Sequence, residues 1–313
     1  MENCNVPLSL IVPGLPHPYL VPEACEAYGR LREGFEAARA KVEQAVTEDG
    51  VDLLVLYSTQ WPSVLGHQIQ GARELTWTHV DPEFHELGSI PYSFDFDTQF
   101  AESYAREATQ RGLHARVVTY AGFPVDTGTV VARKLLDPEG RLPCVVVSCN
   151  MYADRAETLV LGKAAASALR SSGRKAVAVA ITGLSYRMLP EVFLPEQAAT
   201  KERVSLPRDD EWNCKILELL AAGRVEDVSQ LARNFHKEAR ADQKFKALWW
   251  LTGLQGGHNH YAGEVLAYAS LQGTGAAVVA LRESDGVRAG DPEFDEDDVE
   301  VFRGERSVLD ARS

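Results

Sequence analysis

The sequence predicts an α/β fold with a layered, largely parallel sheet and helices on both of its faces. Short, continuous apolar runs alternate along the chain with longer segments in which apolar residues recur every three or four positions. Continuous apolar runs are typical of strands covered on both faces, and the longer spacing is typical of amphipathic helices. Alternation of the two patterns favours a parallel sheet.

The individual elements follow from the same patterns. The first helix is indicated by apolar residues that recur from Leu31 to Val46 at spacings of four, three, four and four. Pro207 and Asp209 supply a start signal for a mostly helical C-terminal part. The predicted strands are 8–12, 51–57, 115–120, 143–149, 175–182 and 276–281, and the predicted helices lie within 31–46, 155–171 and 209–254.

The chain divides by composition into a body and an acidic end. Residues 1–282 are predicted to form one α/β domain, since no internal repeat or linker interrupts them. From Glu283 to Glu300 there are nine acidic residues and one basic residue, Arg288. Such a segment buries too little to offset its ordering entropy. Residues 283–313 are therefore predicted to be a disordered, solvated tail, with a docking segment for a basic partner as the alternative.

Charge and cysteine usage exclude several classes of protein. The 313 residues carry a formal net charge of −13, which disfavours binding to nucleic acid or to an anionic membrane surface. The five cysteines are scattered and form no C-x-x-C pair, as expected in a reducing compartment. The first residues do not resemble a secretory signal, and no apolar run is long enough to span a bilayer. We expect a cytoplasmic protein.

Polar residues follow three predicted strands, where ligands bind in open α/β sheets. They are His17 in GLPHPYL, Gln60 and His67 in STQWPSVLGHQIQ, and Tyr186 in TGLSYR. Each residue alone is weak evidence, because a single His beside Pro is more often a structural hydrogen bonder.

A separate cluster lies late in the chain, in GHNHYAGEVLAY. His258 and His260 form an H-x-H pair, and Glu264 follows four residues later. Three such side chains suit several divalent metals, so this is a possible local metal site. Short His/Glu clusters also arise by chance.

Taken together, the loops resemble the class III extradiol dioxygenases. The resemblance rests on PHP after the first strand, W followed by SVLGH after the second, LS after a later strand, and E-x-x-x-Y before GTG. It is closest to the two-subunit members that cleave 2-aminophenol, which pair a catalytic β chain with a homologous α chain lacking the active site. The stretches DPEFHELGS, VSCNMYADRAETLVLGKAA and DDEWNCKILELL look like the α chain in particular.

The resemblance implies a metal site that this chain has lost. The family's catalytic chain holds Fe(II) through two His and one Glu, and His17 and Glu264 match the first His and the carboxylate. The second His belongs to a Ser-Pro-His-Trp motif, which reads Ser58-Thr59-Gln60-Trp61 here. An amide oxygen is a far poorer iron ligand than imidazole, so the remnant triad His17, Gln60 and Glu264 is predicted to bind no metal. His67 is not counted as a replacement ligand.

A second loss concerns the proton-transfer residue. The catalytic chain carries an acid–base His after its Leu-Ser pair, whereas Leu184-Ser185 is followed by Tyr186 here. A phenol with a pKa near 10 rarely moves protons at neutral pH. Asp126, Thr127 and Gly128 match a segment near the substrate pocket, and Thr127 departs from the bulkier residue of the catalytic chain. The structural alternative is that Asp126 caps a turn whose geometry Gly128 permits.

These observations favour a non-catalytic partner subunit of an Fe(II)-dependent extradiol dioxygenase. Its expected partner is a homologous catalytic β subunit, in an α2β2-like assembly that binds the aromatic substrate and holds the iron in the β chain. Two alternatives remain open. The chain is either an enzyme with a rebuilt metal site or a new activity in the remnant pocket, or a stand-alone small-molecule binding protein. Trp212, Trp249 and Trp250 are candidates for a subunit interface or for core packing.

Overall fold

The computed structural model describes residues 5–187, 206–256, 259–271, 273–284 and 299–302. The predicted α/β class is confirmed: a sheet of eight strands carries helices on both faces, and a two-stranded hairpin stands beside it. The strands are β1 Leu8–Val12, β2 Leu53–Ser63, β3 His67–Gln70, β4 Glu74–Val80, β5 Ser89–Asp95, β6 Ala115–Val118, β7 Cys144–Asn150, β8 Ala176–Ile181, β9 Tyr261–Leu271 and β10 Thr274–Glu283.

The three regions predicted to be helical contain helices, whereas the helices at His17–Leu20, Thr98–Gln110 and Thr127–Leu136 were not predicted. The segment predicted as mostly helical after Pro207 is divided into three helices, and Pro207 occupies the first turn of the first of them. The helices described are α1 His17–Leu20, α2 Glu26–Gln44, α3 Thr98–Gln110, α4 Thr127–Leu136, α5 Arg155–Ser172, α6 Pro207–Ala221, α7 Val225–Ala239 and α8 Lys246–Gln255.

The order of strands in the large sheet is β6-β3-β7-β2-β8-β1-β10-β9. The central strands β7, β2, β8 and β1 are parallel to their neighbours within this group, which is the largely parallel arrangement expected. The strand predicted at 276–281 is β10, and it runs antiparallel to both β1 and β9. Gly273, which precedes β10, has a φ of 77°. The connection between β9 and β10 is short, and strands joined by a short connection pair antiparallel.

Two apolar cores lie on the two faces of the sheet. One contains the inner faces of α3, α5 and α8, and the other contains α2, α4 and the β4–β5 hairpin. The central strands are buried along their whole length, which explains their continuous apolar sequence. Trp249 and Trp250 are both almost fully buried in the first core, so they serve packing rather than an exposed interface. Trp212 is partly buried against the same core.

The acidic C-terminal segment is in part docked on the body. Residues 285–298 and 303–313 lie outside the described part of the chain, but 299–302 are placed against α3 and α5. Val299 and Phe302 pack on the first core. The expectation of a wholly solvated tail therefore does not hold at these four residues, and the domain boundary at 282 stays a prediction. None of the described helices is both long and apolar enough to cross a membrane.

Candidate functional site

A cavity of about 1050 Å³ opens at the carboxyl ends of β1, β2 and β8. This is the edge at which the sequence placed its candidate loops, and Gln60 and Tyr186 both line the cavity. Trp61 and Phe123 form an aromatic wall, with ring centroids 5.5 Å apart. The volume would accommodate a small aromatic ligand.

Gln60 joins three elements at the cavity wall. Its Nε2 donates to the carbonyl oxygen of Gly14, 2.8 Å away, and its Oε1 accepts from the backbone N–H of Gly128 at 2.7 Å. Both neighbours are glycines, and a Cβ at either position would force a side chain to shift. A Cβ on Gly14 would lie 2.5 Å from Nε2 of Gln60, and one on Gly128 would lie 2.6 Å from Ile181. The two ends of the Gln60 amide thus connect the loop after β1, at Gly14, to the start of α4, at Gly128.

His17 is buried beside the cavity and does not line it. Its ring lies 4.6 Å from that of Tyr28 and 4.5 Å from that of Phe84, measured between centroids. Neither ring nitrogen has a hydrogen-bond partner among the described residues. Burial lowers the pKa of His17 to about 4, although the nearby Asp81 opposes the shift. The ring is therefore neutral at pH 7.

Glu264 is not brought to His17 or Gln60, which corrects the triad expected from the sequence. It lies on β9, the edge strand, where its side chain is 60% exposed and pairs with Lys41 of α2 at 2.7 Å. The match to the metal carboxylate therefore fails in space. Glu264 does not line the cavity.

His67 and His260, two further candidate histidines from the sequence, do not line the cavity. His67 is fully buried on β3, where its Nε2 is 3.0 Å from Oε1 of Glu157. His260 precedes β9, and its carbonyl accepts from the backbone N–H of Ser284. His258 lies outside the described residues, so the H-x-H site with Glu264 stays untested.

Asp126 caps helix α4, as the structural alternative predicted. Its Oδ1 accepts from the backbone N–H of Thr129 at 3.0 Å and from the hydroxyl of Ser58 at 2.7 Å. Its Oδ2 accepts from the hydroxyl of Thr129. Asp126 therefore fixes the start of α4, where the backbone N–H of Gly128 donates to the side chain of Gln60.

Thr127 forms the centre of a hydrogen-bonded chain. Its hydroxyl donates to Oδ2 of Asp81, so it accepts from His79, whose Nε2 is 2.7 Å away. Burial lowers the pKa of His79, partly offset by Asp81 and Asp126. The chain places an imidazole and a carboxylate on one wall of the cavity.

Tyr186 occupies the position expected from the sequence. Burial raises the pKa of its phenol, and the nearby Glu83 and Asp242 raise it further. The phenol therefore remains protonated near neutrality.

Asp242 is a pocket residue that the sequence reasoning missed. Its Oδ2 accepts from the hydroxyl of Thr59 at 2.6 Å, from Thr182 at 3.1 Å and from the backbone N–H of Gly183 at 3.0 Å. Burial nevertheless raises the pKa of this carboxyl above its usual value. The available signal was a polar stretch, Ala241-Asp242-Gln243, immediately before the apolar helix α8.

The segment that carries Asp242 has an unusual backbone. Arg240, Gln243, Lys244 and Phe245 have φ values of 52°, 44°, 61° and 59°. Side chains other than glycine rarely adopt this left-handed region, and each instance costs of order 1 kcal/mol. The hydrogen bonds of Asp242 help to hold this strained segment on the end of β8.

Several other cavity residues were also missed. His79, Asp81 and Glu83 come from the β4–β5 hairpin, which the sequence patterns did not predict, and His236 ends α7. Burial and the neighbouring Asp81 raise the pKa of Glu83. The cavity thus contains several titratable groups with shifted pKa values, which are common at functional sites.

The residues present do not fit the Fe(II) site that the resemblance implied. His17 packs between two aromatic rings, both ends of the Gln60 amide are hydrogen-bonded to the backbone, and Glu264 pairs with Lys41. Across the described part of the chain, no group of three or more His, Cys, Asp or Glu side chains is arranged to hold a metal ion. We derive no step through iron in this chain.

Comparison with known proteins identifies relatives of the whole fold. Residues 8–279 match the family described as the catalytic LigB subunit of aromatic ring-opening dioxygenase. The chain is 33% identical to the 2-aminophenol 1,6-dioxygenase alpha subunit of a Pseudomonas species, over 87% of this chain and 97% of the relative. It is 32% identical to the beta subunit, over 89% of this chain and 94% of the relative.

A solved structure supports the fold at lower sequence similarity. An uncharacterized protein of Escherichia coli K12 superposes with a TM-score of 0.56 at 12% identity, covering 87% of this chain and 98% of the other. At this identity the likeness concerns the fold alone.

Proposed function

We propose that this chain, which belongs to the LigB family of aromatic ring-opening dioxygenases, is the subunit without a catalytic metal in a two-subunit enzyme. Its partner is a homologous chain that holds Fe(II) and cleaves a 2-aminophenol-type or catechol ring. Sequence identity does not choose between the two subunit types, because the values for the alpha and beta subunits differ by one percentage point. The assignment of this chain to the subunit without a metal therefore depends on the geometry of the cavity residues.

The observation that carries the proposal is the hydrogen bonding of Gln60. Its oxygen accepts from the backbone N–H of Gly128 and its nitrogen donates to the carbonyl of Gly14, so both ends of the amide are bound by the backbone. The side chain that matches a metal ligand of the family thus connects two backbone segments by hydrogen bonds. Tyr186, with its raised pKa, supports the same proposal because the cavity lacks the imidazole expected at that position.

An exposed apolar surface offers a place for the partner. Val64 and Leu65 follow β2, and Met151 and Tyr152 follow β7, with exposed fractions of 56%, 74%, 46% and 80%. We call these four residues the strand-end surface. The two loops are adjacent, since the backbone N–H of Met151 donates to the carbonyl of Ser63.

The sequence around the strand-end surface carries no charge. Residues 53–72 and 142–153 contain no Asp, Glu, Lys or Arg, in a chain that is 25% charged. These two segments add no charge that would repel a partner chain. Apolar residues at the centre of a contact, free of charge, are typical of stable subunit interfaces.

The test is expression of this chain alone and together with the homologous chain of the same organism that keeps His at the position of Gln60. We expect the chain alone to purify without iron and to consume no oxygen with 2-aminophenol. The pair should co-purify, contain iron and open the ring. Ring cleavage by this chain alone, with stoichiometric iron, would falsify the proposal.

A second candidate is an enzyme with a new activity in the same cavity. It is favoured by Asp242 and Glu83, two carboxyls whose pKa values are raised beside His79. Carboxyl groups with raised pKa values are common among catalytic acids and bases. Turnover of an aromatic compound by the isolated, iron-free chain, abolished by Asp242→Asn, would favour this candidate.

A further inference from the structure

Residues 299–302 of the acidic segment occupy a groove between α3 and α5. The carboxylate of Glu300 lies 2.7 Å from Nζ of Lys163 and 2.9 Å from Nη1 of Arg111. Nη1 of Arg111 also donates to the carbonyl oxygen of Glu300 at 2.9 Å. Two cations, one on each helix side of the groove, therefore bind one glutamate.

The basic side chains are also held by the body of the protein. Nη2 of Arg111 donates to the hydroxyl of Ser167 on α5 at 2.8 Å, which orients the guanidinium. The side chain of Lys163 is only 9% exposed, so its ammonium is held at the floor of the groove. A fixed, poorly solvated pair of cations binds a carboxylate more strongly than two freely moving surface cations do.

The backbone of the segment is also recognised. The N–H of Phe302 donates to the carbonyl of Arg111 at 2.9 Å. Gly112 has a φ of 87°, and a Cβ at this position would lie 2.2 Å from the carbonyl oxygen of Phe302. Glycine is thus needed twice, for its conformation and for the close approach. Val299 and Phe302 complete the contact by packing on the apolar core.

We propose that the groove formed by Arg111, Gly112 and Lys163 is a binding site for an acidic–aromatic peptide segment, and that residues 299–302 are its occupant in this chain. The observation is a complete set of contacts: ion pairs to a glutamate, a backbone hydrogen bond and an apolar pocket for Phe302. The basic partner considered for the acidic segment is then the chain's own body.

The described residues that precede and follow 285–298 both contact the body of the protein. At the near end, the backbone N–H of Ser284 donates to the carbonyl of His260 after β10. At the far end, residues 299–302 are bound in the groove. The local concentration of a segment tethered in this way is of order millimolar, so a weak peptide contact suffices to keep it bound. Salt should weaken the contact, because its polar part includes the ion pairs of Glu300 with Arg111 and Lys163.

The first experiment measures hydrogen exchange of the Phe302 amide in the full-length chain, with residue-level resolution. We expect this amide to be protected at low salt and to exchange at least about tenfold faster in Glu300→Gln, in Lys163→Met and in about 1 M salt. Glu283→Gln, an acidic residue on β10 outside the groove, is the matched control and should leave the protection unchanged. Exchange of Phe302 in the wild-type chain at the rate of an unstructured peptide would overturn the proposal.

The second experiment uses a labelled peptide of residues 296–304, EDDVEVFRG, and full-length chains only. The Glu300→Gln chain, whose own segment is weakened, should bind the peptide at least about tenfold more tightly than the wild-type chain does. The same peptide with Glu300→Gln should bind neither. Equal binding to both chains, or Phe302 protection that depends on protein concentration, would show that the segment does not occupy its own groove. Neither result bears on the partner-subunit proposal, which is tested by iron content.

Discussion

Nε2 of Gln60 donates a hydrogen bond to the carbonyl oxygen of Gly14, so a side chain in a metal-ligand position serves the backbone instead. The other end of the amide accepts from Gly128. The loop after β1, the C-terminal part of β2 and the start of α4 are thereby joined by hydrogen bonds. This arrangement implies that the cavity keeps its shape in the absence of metal, and it leads to the first prediction.

Gln60→Ala should lower the free energy of unfolding by about 1–3 kcal/mol, because the carbonyl of Gly14 and the N–H of Gly128 lose their partner. Gln68→Ala is the matched control. Its amide donates to the carbonyl of Leu65 on an exposed loop, so the change should stay within about 0.5 kcal/mol. Urea denaturation of both variants checks the difference. Equal small effects would show that the Gln60 crosslink is not needed for stability.

Restoring the two missing imidazoles should not restore the metal site. We expect Gln60→His with Tyr186→His to yield a folded chain with far less than one iron per chain, measured by elemental analysis after incubation with Fe(II) and desalting. The reason is geometric: His17 lies between Tyr28 and Phe84, and Glu264 is on β9 beside Lys41. One tightly bound iron per chain, lost on adding His17→Phe, would contradict this.

The sequence predicted the fold better than the site, for a physical reason. Continuous burial of β1, β7 and β8 is a local property and is visible in the apolar runs. The position of Tyr186 after β8 was likewise predictable, because strand ends define the edge where ligands bind.

The failures concern contacts between distant parts of the chain. Asp242 reaches Thr59 only because the segment after α7 folds onto the end of β8, and no periodicity reports such a contact. Glu264 matched a family motif in sequence, but its direction on an edge strand is set by pairing with β10. The β4–β5 hairpin, which supplies His79, was missed because Leu75 is the one fully buried residue of β4, and the apolar Trp77 and Val80 are exposed among polar residues, so β4 shows no regular apolar alternation.

The buried, neutral His17 should make stability depend on pH. In the unfolded chain its pKa is near 6.5, and in the folded chain it is about 4. The folded state therefore resists protonation. The contribution of His17 is complete above pH 6.5 and is lost as the pH falls toward 4, by roughly 3 kcal/mol in total.

The comparison that isolates this effect is His17→Phe, which keeps a ring between Tyr28 and Phe84 and removes no hydrogen bond present among the described residues. The difference in unfolding free energy between the two proteins should be flat from pH 8 to about 6.5. Below that, the wild-type chain should lose stability relative to the variant. A difference that stays constant down to pH 4.5 would mean that His17 is protonated without cost in the folded state.

The strand-end surface should govern association with the catalytic chain. Leu65→Asp with Tyr152→Asp places two charges among exposed apolar side chains, which should weaken pairing at least about tenfold without changing the fold. Trp77→Asp is the matched control, since Trp77 is 62% exposed on the β4–β5 hairpin. Sedimentation or light scattering of the mixed chains checks the result. If only Trp77→Asp weakens the pair, the partner binds the hairpin instead; if no pair forms with the wild-type chain, the subunit proposal itself fails.

The residues with positive φ before α8 should destabilise the folded chain, and a glycine at one of these positions should relieve part of the backbone strain. Lys244 is exposed, has a φ of 61° and lines the cavity, so Lys244→Gly removes the clash of its Cβ with the backbone. The cost of glycine in the unfolded chain partly offsets this gain, and we expect a net stabilisation of up to about 1 kcal/mol in urea denaturation. Arg233→Gly, at an exposed position inside α7, should destabilise by about 1 kcal/mol, because glycine is unfavourable within a helix. Opposite signs for the two changes would establish that the chain adopts this conformation at Lys244 despite its cost. The hydrogen bonds of Asp242 to Thr59, Thr182 and Gly183 are then the interactions that hold it there.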